Sequence, residues 1–255
     1  MTKSALESRG KPKPSAPPEH EIRKAFNGKK ASNPISPLRP PTEIARYDLP
    51  YPGLSLVVAR GSVVNFQGDA IVNAANEYCV GGGGVDGAIS EAGGRNLARD
   101  RLMLPVLEKT SYGSKIRCKP GMAVLTGPND YGRLPSYIIH AVGPMFAKYK
   151  NREDGVHLLK AAYSSALDIA ADHDLARVGS SLLSAGVFRG ALSKTEVLSL
   201  AVEGISDWAR GRYEVSTKQS PANVSVREVH LCAFTKQECD ALKEVCDHTL
   251  PFQYK

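Results

Sequence analysis

The sequence predicts an α/β fold in which one mixed β-sheet carries helices on both faces. Apolar, β-branched segments alternate with segments of helical periodicity, in the order β–β–α–β–β–α–β–α–β–α. This alternation is typical of a sheet whose crossover helices cover both of its faces. In addition, two glycine-bearing segments each follow a predicted strand, which favours a ligand site at the carboxyl ends of the strands.

Six predicted strands and four predicted helices make up this fold. The strands are expected over 54–59, 69–73, 123–125, 137–142, 178–183 and 224–233. The helices are expected over 85–99, 156–171, 195–208 and 236–246, with Ser193 as a candidate N-cap of the third. The folded part is expected to begin near Ala45.

The positive charge of the chain is concentrated at its N-terminus. Of a net charge of +7, the first 40 residues contribute +6, from nine Lys or Arg against three Glu. The same stretch contains seven prolines and few large apolar side chains, so it cannot bury enough surface to offset its ordering entropy. We expect residues 1–44 to form a basic, mostly irregular arm, disordered or loosely docked, with a short helix over 21–27. Residues 45–255 are expected to form the folded domain.

Cysteine usage and hydropathy indicate an intracellular protein of the cytoplasm, the nucleus or a mitochondrion. No run approaches the roughly 20 apolar residues that span a bilayer, and the N-terminus lacks the apolar segment of a secretory signal. The five cysteines form no C-x-x-C pair, which favours free thiols in a reducing compartment. Because the cysteines and histidines are not spaced as metal ligands, we expect no metal site.

The most informative part of the chain is Asp-Ala-Ile-Val-Asn-Ala-Ala-Asn (69–76) followed by Gly-Gly-Gly-Gly-Val-Asp-Gly (81–87). Consecutive glycines are entropically costly, but they let a ligand approach the backbone closely and expose N–H groups. Because a predicted helix follows directly, these N–H groups form an anion site suited to a diphosphate. Asp86 is either a charge favoured by the helix dipole or a carboxylate that handles a proton of water or of a hydroxyl. Asn76 is either a turn former or an amide that binds sugar hydroxyls.

These two segments resemble the macrodomain family, specifically its MacroD-type branch of ADP-ribosyl hydrolases and O-acetyl-ADP-ribose deacetylases. The resemblance continues in Ile-His-Ala-Val-Gly-Pro (139–144) and in Ser-Ala-Gly-Val-Phe-Arg-Gly (184–190), which is similar to the family's second phosphate loop. It covers about residues 54–250. It implies a three-layer α/β/α sandwich with a central mixed sheet, and ADP-ribose in a cleft across the strand ends, as ligand or product and without a further cofactor.

The resemblance also implies roles for individual residues. Asp86 is the implied catalytic carboxylate, which activates water at the ester bond, and Asn76 the implied holder of the distal ribose. Phe188 is expected to pack against the distal ribose and Phe234 to face the adenine, although Phe234 fits core packing equally well. The full set of implied ligand-binding residues is Ser62, Val63, Ala74, Gly82, Gly83, Gly84, Val85, Ser184, Ala185, Gly186, Val187, Phe188 and Phe234.

Two positions depart from the family's pattern. The family's Gly-Asp-Ile, whose Asp accepts a hydrogen bond from the adenine amino group, is replaced by Gly-Ser-Val, with Ser62 in the middle. Ser62 can accept that bond but carries no charge, so the contact is expected to be weaker. Ser90 stands where MacroD-type members often have a His, which implies slower turnover. His140, in a predicted buried strand, is interpreted as a structural hydrogen-bonding group and not as a catalytic one.

The implied function is removal of mono-ADP-ribose from acidic side chains of proteins and deacetylation of O-acetyl-ADP-ribose. A reader that binds ADP-ribose without cleaving it stays as an alternative, because Ser62 and Ser90 differ from the family. The expected partners are ADP-ribose, mono-ADP-ribosylated proteins and O-acetyl-ADP-ribose, with no membrane partner and a monomeric state.

Two other classes fit the sequence less well. The glycines of 82–87 match the G-x-G-x-x-G pattern of dinucleotide-binding oxidoreductases, but they follow a loop, and 101–108 does not supply the strand end and acid that this fingerprint needs. Nucleic-acid binding is expected only through the basic arm, because aromatic residues, 7% of the chain, are not interleaved with Lys and Arg.

Overall fold

The computed structural model describes residues 16–25, 39–219 and 225–250. Its helices are α1 (Glu19–Ala25), α2 (Gly84–Met103), α3 (Arg152–Asp172), α4 (Lys194–Gln219) and α5 (Lys236–Thr249). Its strands are β1 (Thr42–Asp48), β2 (Ser55–Arg60), β3 (Ala70–Ala74), β4 (Glu108–Lys109), β5 (Lys115–Ile116), β6 (Ala123–Thr126), β7 (Tyr137–Ala141), β8 (Arg177–Ser180) and β9 (Glu228–Ala233).

The main sheet is mixed, as the sequence predicts. Its strand order is β1-β2-β9-β8-β3-β7-β6, and β4 and β5 form a separate antiparallel hairpin. The five central strands run parallel, whereas the edge strands β1 and β6 run antiparallel to their neighbours. Because the central strands are parallel, all their carboxyl ends lie at one edge of the sheet, where the loops that follow them diverge.

Helices cover both faces of this sheet, which confirms the three-layer α/β/α fold. Along β3 and β7, successive side chains point to opposite faces: Val72 and Ile139 join the core beneath α3, α4 and α5, whereas Ile71 and Ile138 join the core beneath α2. Both faces of the central strands are therefore buried, as expected for parallel strands between two helical layers.

The predicted elements are confirmed, with different ends. The predicted strand over 178–183 ends at Ser180, and Val224, the start of the last predicted strand, lies outside the described residues. The third predicted helix continues well beyond 208, to Gln219. Ser193 caps it as predicted: its Oγ accepts from the Glu196 backbone N–H at 3.2 Å, and the Glu196 carboxylate accepts from the Ser193 N–H at 2.8 Å.

Strand β1 and the β4–β5 hairpin were not predicted. The sheet begins at Thr42, slightly before Ala45, and β1 has no apolar alternation because it is an edge strand that is largely exposed. The two strands of the hairpin contain only two residues each, too few to produce a periodic pattern.

A short helix, α1, lies within the predicted arm. Its carboxylate Glu19 forms an ion pair with Arg95 of α2, and Ile22 is buried. The predicted helix over 21–27 is thus observed over Glu19–Ala25, and positions 26 and 27 lie outside the described residues. Among the helices of the described ranges, none has the length and apolar character that a transmembrane segment requires.

His140 of β7 is fully buried between the strands β3 and β6. Its Nε2 lies 2.9 Å from Oγ1 of Thr126 on β6, and its Nδ1 lies 3.2 Å from Nδ2 of Asn73 on β3. The predicted structural role in hydrogen bonding is therefore confirmed. Burial holds the pKa of His140 well below its ordinary value, and the nearby charge of Arg101 acts in the same direction.

We expect the free energy of unfolding to decrease as the pH falls below about 6.5, the ordinary pKa of histidine. In this window the unfolded chain binds a proton at residue 140 that the native chain excludes, since the native pKa is lowered. The loss is about 1.4 kcal/mol per pH unit for each such histidine. Urea unfolding between about pH 5 and pH 8 measures the slope.

The dependence of the unfolding free energy on pH should become weaker in His140→Gln. His230→Gln is a matched comparison, because burial also lowers the pKa of His230 and its removal should take away a separate contribution. A slope that is the same in wild type and in His140→Gln would contradict a neutral, buried ring at residue 140.

Candidate functional site

A cleft of about 410 Å³ opens at the carboxyl ends of the parallel strands. Its walls come from the loops after β2 and β8, the end of β9 and the first turns of α2 and α5. This is the location that the sequence predicts for a ligand. The residues that line it are Gly61, Ser62, Val63, Gly84, Val85, Ala88, Ser181, Leu182, Ala185, Gly186, Cys232, Phe234 and Glu238.

One end of the cleft combines an exposed aromatic ring with polar groups. Phe234, directly after β9, is 73% exposed, so its alternative interpretation as a core residue is wrong. Ser62 begins the short helical turn Val63–Asn65, and its Oγ accepts a hydrogen bond from the Val64 N–H at 3.3 Å. A flat ring beside hydrogen-bonding groups can bind a planar base.

Glu238 is a cleft residue that the sequence analysis did not select. It is the one acidic residue lining the cleft among those the structure describes, and it accepts a hydrogen bond from Lys194 at 2.9 Å. Burial alone would raise its pKa, but the hydrogen bonds from Lys194 and from the Thr235 backbone more than offset this, so that its pKa lies below the ordinary value. Its sequence signal was the capping box Thr235–Glu238 at the start of α5.

The loop after β8 forms the opposite wall. Ala185 and Gly186 line the cleft, and Val187, 91% exposed, lines a shallow extension of it. Ser184 is buried with φ +55°, and its Oγ donates to the carbonyl of Pro144 at 2.8 Å. Five residues of this loop were predicted to bind the ligand. Two of them do not line the cleft: Ser184 holds the backbone of the loop, and Phe188 is half-buried elsewhere.

The glycine-rich loop leads directly into α2, as predicted. Gly83 is the N-cap of α2, and no side chain among the described residues caps this end of the helix. The first backbone N–H groups of α2 are therefore available to an anion. Gly84 and Val85 line the cleft, whereas Gly82 and Gly83 are exposed next to it and Ala74 is half-buried at the end of β3.

Asp86 is buried beneath this loop and forms an ion pair with Arg101. The two side chains are 4% and 2% exposed, and Nη2 of Arg101 donates to Oδ1 of Asp86 at 2.8 Å. Nδ2 of Asn73 donates to the same oxygen at 2.8 Å. Ser90 supports the pair, because its Oγ accepts from Nη1 of Arg101 and donates to the Asp86 carbonyl, both at 2.7 Å. Oδ1 is therefore fixed from two sides.

A kink in α2 brings Arg101 to Asp86. In a straight α-helix, residues fifteen positions apart are separated by about 22 Å along the axis. Gly94 interrupts α2 with φ +56° and ψ −149°, a conformation that glycine adopts without steric cost. The second part of α2 is thereby redirected, and the guanidinium of Arg101 reaches the start of the same helix.

The other oxygen of Asp86 lies beside Asn76 and Gly82. Oδ2 has no hydrogen-bond partner among the described residues. A side-chain carbon placed on Gly82 would lie 3.0 Å from this oxygen and 3.1 Å from Nδ2 of Asn76, so a larger residue would require both side chains to shift by a few tenths of an ångström. Asn76 itself bridges the loop, because its Nδ2 donates to the Gly81 carbonyl at 2.9 Å and its Oδ1 accepts from the Tyr78 N–H at 3.0 Å.

The structure thus brings the two predicted catalytic residues together, but in a covered position. Asp86 does not line the open cleft; Val85 and Ala88, its neighbours on α2, do. Next to Asp86, the residues that the sequence analysis does not select are Asn73 and Arg101. Asn73 lies within an apolar strand whose pattern does not distinguish it, and the pair Gly93-Gly94 inside a predicted helix is the signal for the kink.

We expect Arg101→Met to reduce the free energy of unfolding by about 3–5 kcal/mol, because it leaves the Asp86 carboxylate buried without a counter-charge. The double variant Arg101→Met/Asp86→Asn should be more stable than Arg101→Met, since it removes the unpaired charge. Urea unfolding at neutral pH measures all three proteins.

Arg95→Met is the matched control, because Arg95 lies on the same helix and its ion pair with Glu19 is about half exposed. Its cost should stay below about 1 kcal/mol. Two results would contradict a buried, mutually dependent pair: an equal loss of unfolding free energy in the Arg95 and Arg101 variants, or a double variant that is less stable than Arg101→Met.

Comparisons with known proteins agree with this architecture. Residues 72–199 match the family model of the Macro domain. A Macro domain-containing protein of Caldanaerobacter subterraneus is 33% identical over 179 residues, which cover 70% of this chain and 88% of that protein. A Pantoea vagans protein named O-acetyl-ADP-ribose deacetylase 1 is 35% identical over 148 residues, 58% of this chain and 80% of that protein.

Solved structures show the same fold at lower identity. The Oceanobacillus iheyensis macrodomain, crystallised with ADP, superposes with a TM-score of 0.64 at 23% identity and covers 80% of this chain and 95% of its own. The Trypanosoma brucei macrodomain in complex with ADP-ribose gives a TM-score of 0.56 at 24% identity, covering 88% of this chain and 85% of its own. The sheet order, the glycine loop before α2 and the matched family model together establish that this chain belongs to the Macro domain family.

Proposed function

We propose that the chain binds ADP-ribose in the cleft and hydrolyses esters of its distal ribose. The substrates are mono-ADP-ribosylated acidic side chains of proteins and O-acetyl-ADP-ribose. The observation that carries the proposal is the Asp86 carboxylate, with one oxygen fixed by Arg101 and Asn73 and the other unpartnered beside Asn76 and the glycine loop.

In the proposed complex, the shape and polarity of the cleft position the nucleotide. The adenine lies against Phe234, with Ser62 and Glu238 as nearby hydrogen-bond acceptors. The diphosphate lies between the start of α2, where the N–H groups are uncapped, and the loop that contains Gly186. The distal ribose then extends toward Gly82 and Asn76.

Hydrolysis in this arrangement uses water and one carboxylate. A water molecule donates a proton to Oδ2 of Asp86 while its oxygen attacks the acyl carbon of the ester. The bond between this carbon and the ribose oxygen then breaks, and the ribose oxygen takes the proton back from Asp86, which gives ADP-ribose and a free carboxylic acid. Arg101 and Asn73 hold the carboxylate in one orientation, so its position is fixed before the substrate binds. Because Gly82 covers Oδ2, the reaction also requires this loop to move aside when the ligand binds.

The known proteins support the ligand class. The Pantoea relatives are named O-acetyl-ADP-ribose deacetylases, and the macrodomain structures that share this fold were solved with ADP or ADP-ribose.

A second candidate function is a reader that binds ADP-ribose without cleaving it. The burial of Asp86, 3% exposed and ion-paired, favours this alternative, since a carboxylate that stays covered cannot reach water at the ester. Ser90 also favours the reader, because it forms hydrogen bonds with Arg101 and Asp86 and offers no group that could exchange a proton with the substrate. Turnover distinguishes the two functions.

We expect the wild-type chain to release free ADP-ribose from a mono-ADP-ribosylated glutamate ester, and Asp86→Asn to be slower by about 10²–10⁴-fold, the usual contribution of a general base. The affinity for ADP-ribose, measured by calorimetry, should change less than the rate. Asn76→Ala should likewise lower kcat more than it weakens ADP-ribose binding, because Asn76 positions the sugar.

Asp172→Asn is the matched control, since Asp172 is exposed at the end of α3, away from the cleft. It should keep the wild-type rate. Tight ADP-ribose binding without any release by the wild type would leave only the reader. Equal losses of kcat and affinity in Asn76→Ala would contradict its positioning role.

A further inference from the structure

A second cavity, of about 540 Å³, is lined in part by the loop that follows Asn76. Helix α1 and the β4–β5 hairpin form its walls, and Tyr78 and Val80 of the loop form part of its lining. Leu102 of α2 also lines it, next to the Arg101 that holds Asp86. The loop that begins at Asn76 and the part of α2 that holds Arg101 therefore both contribute residues to this cavity.

The cavity contains a buried guanidinium that forms no ion pair with the residues that the structure describes. Arg117 lines it and is 4% exposed. Its Nη1 donates to the carbonyls of Tyr78 at 3.2 Å and Lys115 at 3.3 Å, whereas its Nε is buried without a partner among the described residues. Within the described ranges, Arg117 takes part in no ion pair, unlike the other buried arginine, Arg101. Burying a guanidinium without a counter-ion is destabilising, and a bound anion would reduce this cost.

The remaining charges of the cavity also favour an anion. Lys24 comes from α1 and Lys115 from β5, against the carboxylate of Glu21, and the imidazole of His20 also lines the cavity. Burial lowers the pKa of Arg117, while Cys79 and the carboxylate of Glu21 act in the opposite direction. A ligand anion next to Arg117 would add to the effect of Glu21 and offset part of the desolvation cost.

We propose that this cavity, here called the arm cavity, binds a carboxylate side chain of an acidic peptide segment, with Arg117 and Lys115 as its principal cationic groups. The inference rests on the proposed function, because such a segment would belong to the protein whose neighbouring acidic residue carries the ADP-ribose. The cleft then holds the nucleotide, and the arm cavity holds the polypeptide on the far side of the scissile ester. Recognition of this kind would favour acidic sequences around the modified residue.

The test uses the full chain, with the Nε–H signal of Arg117 observed by NMR during titration with a hexaglutamate peptide. We expect a saturable shift with hexaglutamate and none with hexaglutamine at the same ionic strength. Lys115→Glu should weaken the affinity for hexaglutamate at least about tenfold, because it replaces an attractive charge by a repulsive one. Lys115 is exposed, so this variant keeps the fold where Arg117→Met can fail to fold.

Arg133→Glu is the matched control, because it makes the same charge change at an exposed position that does not line the arm cavity. It should keep the wild-type affinity. Equal shifts with hexaglutamine, no shift with hexaglutamate, or equal weakening by Arg133→Glu would each overturn the proposal. Inorganic phosphate that saturates the signal with the same affinity would also overturn it, and would leave only a general anion site.

Calorimetry with ADP-ribose on the same protein separates this inference from the proposed function. If ADP-ribose binds and hexaglutamate does not, the arm cavity is not a peptide site, whereas the nucleotide binding that the proposed function requires stands. If hexaglutamate binds at Arg117 and ADP-ribose does not bind, the acidic-peptide site stands and the nucleotide function fails. In Asp86→Asn, an ADP-ribosylated peptide with acidic flanks should bind more tightly than one with neutral flanks, and Lys115→Glu should abolish the difference.

Discussion

The ion pair between Asp86 and Arg101 is the constraint on which the rest of the site depends. A buried ion pair adds little to the free energy of unfolding, because both charges lose their hydration. Removing one partner is strongly destabilising, however, because the other charge stays buried without compensation. The pair therefore specifies one arrangement: Arg101 must return to the start of its own helix, and Gly94 must kink the helix to permit this. Ser90 accepts a hydrogen bond from Arg101 and Asn73 donates one to Asp86, whereas Oδ2 of Asp86 and Nε of Arg101 have no partner among the described residues.

This arrangement determines what the loop above the pair can do. Asp86 anchors the first turn of α2 in the interior, and Gly84 and Val85 of this turn line the cleft at a helix end that no side chain of the described residues caps. The unpartnered oxygen is buried next to Gly82. In the proposed function, binding of the ligand would have to displace this glycine backbone before water could reach the carboxylate.

Much of the fold, and part of the site, could be predicted from the sequence. Alternating strand and helix periodicity was sufficient for the mixed sheet, and the glycine run after β3 was sufficient to locate the cleft, because both are local patterns. Arg101 could not be found in this way, since a regular helix would place it far from Asp86, and Asn73 was hidden in an apolar strand. The arm cavity lies between α1, the β4–β5 hairpin and the loop after Asn76, which are far apart in the sequence. Local sequence patterns therefore could not predict it.

The most direct test of this account is a crystal structure of the chain with ADP-ribose bound. We predict the adenine against Phe234, the diphosphate at the start of α2, and the distal ribose within hydrogen-bond distance of Asn76. Oδ2 of Asp86 should be uncovered while Oδ1 keeps its bond to Arg101. A ligand bound outside this cleft, or a complex in which Asp86 leaves Arg101 to contact the sugar, would contradict the claim that the buried ion pair positions the carboxylate.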